Sequence, residues 1–331
     1  RKRKKIKMMK NSLIAFSIIF MISCDEATNE TVIDETIINV DPNLFLTDGL
    51  VTSITTETQT LSNGEQASCY KIITKNKPTD HEMGPWCPIH ILDDASLGGL
   101  WMERGELHHV DGAFVENLHI FYDDNTWKMY DANGNIYITN TQQKCEAAAN
   151  PNVGPEYQNF CVECLPSYVT DVTATYYIPV TPQALTAVST DTTLDDCGGH
   201  YDEIRGYHYH VAAAGSNSFF GCSGDNALKG AYQLNEEGGP PGMGGVAEKG
   251  VAFNGVRFDA PAPIDAILGA YTLAPLDDAG GHINLHAGYH YHAATGKTEK
   301  IGQGDNHPAM IGYAMDGFGI YAQLDSSGNA N

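Results

Sequence analysis

Apolar and polar positions along this chain alternate mostly with a period of two over short runs, and turn-forming residues punctuate them. LVTSITTETQTL (50–61) and CYKIITK (69–75) read as strands. LHIFYDDNTWKMYDANGNIYIT (118–139) reads as three strands joined by Asp-Asp-Asn and Asn-Gly turns, a meander. Helical signals are few: TQQKCEAAAN (141–150), ended by Asn-Pro, and PIDAILGAYTL (263–273), opening at Pro263. VAFNGVRFDAPAP (251–263) is strand-like, and IGYAMDGFGIYAQL (311–324) predicts two strands around a tight turn at Asp316-Gly317. The pattern therefore predicts a mainly β fold, an antiparallel meander or sandwich with a few short helices and long loops.

One phrase interrupts this ordinary texture because it is written twice, as LDDCGGHYDEIRGYHYH (194–210) and LDDAGGHINLHAGYHYH (276–292), without a gap. Seven of the chain's 13 histidines lie inside it. His200, His208 and His210 hold the same places as His282, His290 and His292. On a strand, Gly-Tyr-His-Tyr-His sends tyrosines to one face and histidines to the other, with imidazoles at i and i+2 about 6–7 Å apart at the backbone. Glycines before the first histidine let a third imidazole approach. A His-x7-His-x-His set is thus a candidate three-nitrogen metal site with an open position. The alternative is a structural lattice of histidines hydrogen-bonded to carbonyls and stacked on tyrosines. The ungapped repeat predicts two equivalent units whose six histidines gather in one cleft, as one shared site or two neighbouring ones, with affinity falling below about pH 6.

The amino-terminal residues are basic (RKRKKIKMMKN), then apolar (LIAFSIIFMIS), then Cys24. That order predicts an export signal over 1–23 with translation starting at Met8 or Met9, and Ile-Ser-Cys resembles a bacterial lipobox, with Cys24 lipidated. Residues 24–46 read as a tether, 47–180 as an amino-terminal β-rich region and 181–331 as the repeat region. In the latter, units 194–226 and 276–306 flank a Gly/Pro loop at 236–250. The formal net charge is −22; without residues 1–23 there remain 12 basic against 41 acidic groups, or −29. Such a field excludes electrostatic binding to nucleic acid and raises the local cation concentration.

Eight cysteines in an exported chain predict disulfides. Copy one carries Cys197 and Cys222 where copy two has Ala279 and Gln303, and this joint loss predicts a Cys197–Cys222 bridge. Cys69, Cys87, Cys145, Cys161 and Cys164 are left with their pairing open.

CYKIITKNKPTDHEMGPWCPIHI, VAFNGVRFDAPAPIDAILGAYT, GGHINLHAGYHYH and IGYAMDGFGIY together resemble the YHYH-motif family. That resemblance implies an exported, histidine-rich domain and carries over no catalytic residue. In the family pattern the cysteine-bearing phrase follows IGYAxDGFxIY; here it precedes the VAFNGVRFD, GGHINLHAGYHYH and IGYAMDGFGIY blocks. A rearranged or incomplete order follows, with 194–226 expected in the usual last position in space by permutation.

Three functions compete. The first is a lipid-anchored protein of the bacterial cell envelope that binds copper or zinc through the six histidines, with Asp195, Asp196, Asp277 and Asp278 as partners of the imidazoles or as turn caps. The second is a metal-dependent hydrolase or oxidase using Asp316, His286 or His307 as base. The third is a binding module whose tyrosine faces contact a glycan or protein while its histidines are structural.

Overall fold

The structure, a computed structural model, describes residues 37–60, 66–84, 88, 90–103, 106–135, 160–161, 173–182, 199–202, 204–210, 248–259, 268, 272–273, 275–284, 288–292 and 307–322. The export signal, Cys24, the Cys197–Cys222 pair, the helix at 141–150, the loop at 236–250, Asp195, Asp196 and His286 lie outside them. The two early alternating runs form β1 (Thr55–Thr60) and β2 (Gln66–Thr74), followed by β3 (Leu100–Glu103), β4 (Glu106–His109), β5 (Phe160–Cys161) and β6 (Ala174–Pro179). The first phrase folds as the hairpin β7 (Gly199–Asp202) and β8 (Gly206–His210). The hairpin β9 (Glu248–Ala252) and β10 (Arg257–Asp259) comes next, then β11 (Thr272–Leu273). The second phrase gives β12 (Gly281–Asn284) and β13 (Gly288–Tyr291), and the last hairpin is β14 (Met310–Ala314) and β15 (Gly319–Tyr321).

Eight of these strands make one sheet in the order β12-β13-β10-β9-β14-β15-β8-β7. Its pairings are antiparallel except β10 with β13 and β15 with β8. Outward from the central β9–β14 pair, each direction meets a hairpin partner, a parallel joint and an antiparallel outer strand, so the sheet has a pseudo-twofold axis. The turns Asn254-Gly255 and Asp316-Gly317 correspond across it. Both glycines have the positive φ that L side chains resist, 87° and 93°. Asn254 Oδ1 and Asp316 Oδ1 each accept the amide two residues on, at 3.1 and 3.2 Å. The β7–β8 hairpin, although it precedes the rest of the sheet in the chain, occupies beside β15 the position that β12–β13 occupies beside β10.

Period-two alternation, interrupted in β14 by a register shift between Met310 and Gly312, divides the sheet into two faces. One buries Tyr207, Tyr209, Phe258, Tyr289, Tyr291, Ile311 and Ile320 in a single aromatic-rich core. On the other, Val251, Phe253, Met310, Tyr313 and Tyr321 pack against Ile72, Tyr176 and Ile178 of the three-stranded sheet β1-β2-β6.

The predicted meander at 118–139 is corrected. Among the described residues this stretch holds no paired strands but helix α3 (Leu118–Phe121) and a 3-10 turn at Asn125–Trp127. It continues from α2 (Gly112–Glu116), which follows α1 (Ala95–Gly98). Asp111 caps α2 by accepting the Phe114 amide at 2.6 Å, starting a helical turn that buries Val115 and Leu118, three apart, while Ile120 stays exposed. With Trp101, Trp127, Met129 and Leu273 these residues form a separate small core. The Asn133-Gly134 turn is present, with Gly134 at φ 81° donating to Asp131 O.

Candidate metal centre

Each phrase uses its glycines for two different jobs. Gly206 and Gly288, at φ 65° and 71°, close the tight connection into the Tyr-His-Tyr-His strand. Gly199 and Gly281 make room for a tyrosine: a Cβ on them would lie 2.2 Å from Tyr207 Oη and 2.5 Å from Tyr289 Oη. With the register so fixed, His200 lies directly across from His208, and His282 across from His290.

The result is two imidazole clusters. In the first, His200 Nε2 stands 3.1 Å from His208 Nε2 and 3.2 Å from His210 Nε2, and His307 Nε2 comes within 3.1 Å of His208 Nε2. In the second, His290 Nε2 is 3.0 Å from Nε2 of both His282 and His292. His208, His210 and His290 are almost fully buried, while His292 and His307 are partly exposed.

Tautomers follow from the far side of the rings. Nδ1 of His208 lies 2.9 Å from Gly206 O, that of His210 2.9 Å from Ala322 O, that of His307 3.0 Å from Pro308 O and that of His290 2.9 Å from Gly288 O. A carbonyl only accepts, so each Nδ1 carries the proton and each Nε2 presents a lone pair. Burial, reinforced by neighbouring imidazoles, pushes His208 and His210 down to about 3 and His290 well below its ordinary value. Burial also lowers His307. Neutral nitrogens with converging lone pairs repel one another unless a cation lies between them. With metal–nitrogen bonds of about 2.0–2.1 Å, ligand nitrogens are separated by about 2.9 Å at right angles and about 3.4 Å in a tetrahedron. The observed spacings fall in that interval, so both clusters can hold a metal ion.

A carboxylate–guanidinium pair flanks each cluster. Asp202 Oδ2 is 3.9 Å from His208 Nε2 and 2.7 Å from Arg205 Nη1. Asp259 Oδ2 is 3.9 Å from His290 Nε2 and 2.7 Å from Arg257 Nη2. Burial works against the charge of Asp202, but Arg205 and the amides of Arg205 and Ile204 outweigh it and hold the carboxyl below its usual range.

The family model of the YHYH proteins matches residues 233–331, which contain β9–β15 and the second cluster. Residues 233–331 are thus similar to the YHYH proteins. Comparison with curated proteins and with solved structures finds no match. The first cluster is assembled across the edge of the YHYH domain: His307 comes from it, whereas His200, His208 and His210 sit on the hairpin that precedes it and completes its sheet.

The expectation of six histidines in one cleft is corrected. The phrases form two separate clusters near opposite ends of the YHYH sheet, β13 and β8 being five strand spacings apart, roughly 24 Å along the sheet at about 4.8 Å each. Only their tyrosine faces share a core. Those tyrosines are buried, so they offer no surface to a glycan or protein. Asp316 is corrected as a base beside the imidazoles: it lies on the tyrosine side, accepting from Tyr209 Oη at 2.7 Å, and burial pushes its carboxyl up to about 6. Asp277 likewise serves the fold, accepting from Tyr289 Oη and from the amides of Gly84, Ala279 and Gly281. Asp278 is exposed in the turn before β12. His307 joins the first cluster as a fourth imidazole.

Sequence reading misses the Asp202–Arg205 and Arg257–Asp259 pairs and a polar network on the tyrosine side. There, His81 Nδ1 is 2.9 Å from Asp80 Oδ1, and its Nε2 is 3.1 Å from Tyr289 Oη. Asn254 donates to both Asp80 and Tyr291 Oη at 2.8 Å. The His81–Tyr289 and Asn254–Asp80 contacts join residues 208 and 174 positions apart, and no local motif announces them.

Proposed function

We propose that this chain is an exported, lipid-anchored protein of the bacterial cell envelope that binds two transition-metal ions, copper or zinc, one in each imidazole cluster. His200, His208, His210 and His307 hold the first ion; His282, His290 and His292 hold the second. The observation that carries the reading is the tautomer pattern: backbone carbonyls fix the proton on Nδ1 of His208, His210 and His307 in the first cluster and of His290 in the second, leaving their Nε2 lone pairs aimed into the clusters. A hydrogen-bonded histidine lattice would instead alternate donors and acceptors among those nitrogens. Nitrogen ligands favour copper or zinc over magnesium or calcium. The acidic charge of the chain and the order of basic, apolar and cysteine residues before the domain support a metal-gathering role outside the cytoplasm.

The test is elemental analysis of chain purified without an affinity tag, loaded with zinc or copper and dialysed. Two ions per chain are expected, falling to one in His208→Ala and in His290→Ala. Metal-free parent protein after loading would overturn the reading and leave the histidines structural.

A further inference from the structure

The two imidazole clusters are bordered by the same pair of charges, yet the sequence builds that pair from different strands. Asp202 and Arg205 belong to the β7–β8 hairpin; at their places in the second phrase stand Asn284 and Ala287. Arg257 and Asp259, three and five residues after the turn residue Asn254, lie on β10; three and five residues after Asp316 stand Gly319 and Tyr321. Neither pair is thus the repeat of the other. The geometry nevertheless coincides. Each carboxylate places Oδ2 3.9 Å from Nε2 of the histidine that holds the same place in its phrase, His208 or His290, and 2.7 Å from a guanidinium nitrogen.

The side of the ring is what matters. A carboxylate that merely orients an imidazole sits behind Nδ1, and here the carbonyls of Gly206 and Gly288 take that place. Oδ2 lies instead beside Nε2, the nitrogen with the lone pair. Two acceptors so close repel each other, and a cation beside them reverses the sign. An ion about 2.0–2.1 Å from Nε2 lies no further than about 6 Å from Oδ2, wherever around that nitrogen it sits. In Asp202 the other oxygen is engaged elsewhere: Oδ1 accepts the amides of Ile204 and Arg205 at 2.8 and 2.6 Å, and Oδ2 accepts from the guanidinium. The Arg205 and Asp259 side chains are only 7% and 8% exposed, so these charges act with little screening by water.

From this convergence we infer that Asp202 and Asp259 are the charge partners of the two ions and make each imidazole cluster select a divalent over a monovalent cation, with Arg205 and Arg257 holding the carboxylates in place. The inference rests on the proposed metal binding. Imidazole ligands are neutral and leave both charges of a divalent ion in a buried site, where an unpaired charge is costly. One negative charge close by favours copper(II) or zinc over copper(I), because the attraction scales with the charge of the ion.

The test uses the full chain with one cluster disabled at a time: His290→Ala leaves the first to be loaded, His208→Ala the second. Zinc affinity is read by competition with a chelating dye, and the reduction potential of bound copper by spectroelectrochemical titration. Asp202→Asn in the first background and Asp259→Asn in the second should weaken zinc binding about 10- to 100-fold. They should also raise the copper potential, by about 59 mV for each tenfold loss of copper(II) affinity relative to copper(I). Arg205→Gln and Arg257→Gln should shift both readouts the opposite way, since a guanidinium opposes the ion. A salt bridge that only braces its hairpin predicts the same direction for all four variants. Because the pairs lie in different hairpins, a variant that fails to fold leaves the other cluster to decide. A parent chain that holds neither zinc nor copper after loading would remove the metal reading itself. A loaded parent whose Asp202→Asn and Asp259→Asn variants keep its affinity and potential, or whose aspartate and arginine variants move them in one direction, would overturn the inference while the metal reading stands.

Discussion

His282 and His290 face each other across a directly paired position of β12 and β13, their Nε2 atoms 3.0 Å apart, and His200 and His208 repeat the relationship at 3.1 Å. Such a pair cannot slip without turning every tyrosine of the hairpin out of the core, because a one-residue shift exchanges the two faces of a strand. The tyrosine core therefore holds the imidazoles in place, so the apo fold and the proposed metal site are coupled.

That coupling predicts an acid-sensitive apo protein. His208 and His210 ordinarily titrate near 6.5, but in the fold burial pushes both down to about 3. Between these values the unfolded chain binds more protons, so stability falls as pH falls, by about 1.4 kcal/mol per pH unit for each group. Asp316 works the other way: raised to about 6, it adds stability as pH falls toward its unfolded value. Circular dichroism should show apo protein unfolding within the window from about pH 6.5 to 3, and zinc moving the midpoint lower. The depressed values predict that the folded chain loses metal at a lower pH than unperturbed imidazoles would. An apo midpoint unaffected by zinc would count against this.

Replacing Asp316 by Asn copies the other half of the sheet, where Asn254 holds the corresponding turn. The raised carboxyl of Asp316 means that ionising it in the core is unfavourable above pH 6. Asp316→Asn should therefore stabilise the chain by about 1–3 kcal/mol at pH 7.5 and by little at pH 4, as read by urea denaturation at the two pH values. Equal effects at both would show that the carboxyl does not titrate in that window.

Gly281→Ala places a methyl group 2.5 Å from the buried Tyr289 hydroxyl and 3.0 Å from the His290 carbonyl. Overpacking of this kind destabilises by about 1–3 kcal/mol. Thermal melts should register the loss, and metal content of the second cluster should fall with it. A variant as stable and as fully loaded as the parent would mean that the glycine is not required for the register.

Cys24→Ser should release the protein from membranes, because a lipid chain is the proposed anchor. Cell fractionation that leaves the variant membrane-bound would contradict the lipobox reading.

Much of this architecture is legible along the chain because it is local. Tyr-His-Tyr-His alternation, the glycines before it and the Asp316-Gly317 turn each act within a few residues, and the structure follows them. Leu118–Phe121 misleads because its β-prone residues are overruled by the Asp111 cap upstream, which sets a helical period. The sequence offers His307 only as a candidate base and does not offer the Arg257–Asp259 pair at all, for another reason. They reach the imidazoles through the parallel joints of β15 with β8 and β10 with β13, which no hairpin signal encodes. The single six-histidine cleft fails on the same point, since four strands intervene between the phrase hairpins.

The most direct measurement is an anomalous difference map from crystals of zinc- or copper-loaded chain, recorded at the edge of that metal. The account predicts two peaks per chain, each about 2.0–2.1 Å from the Nε2 atoms of its cluster, one among His200, His208, His210 and His307 and one among His282, His290 and His292. A map of loaded crystals with no peak between those nitrogens would contradict it.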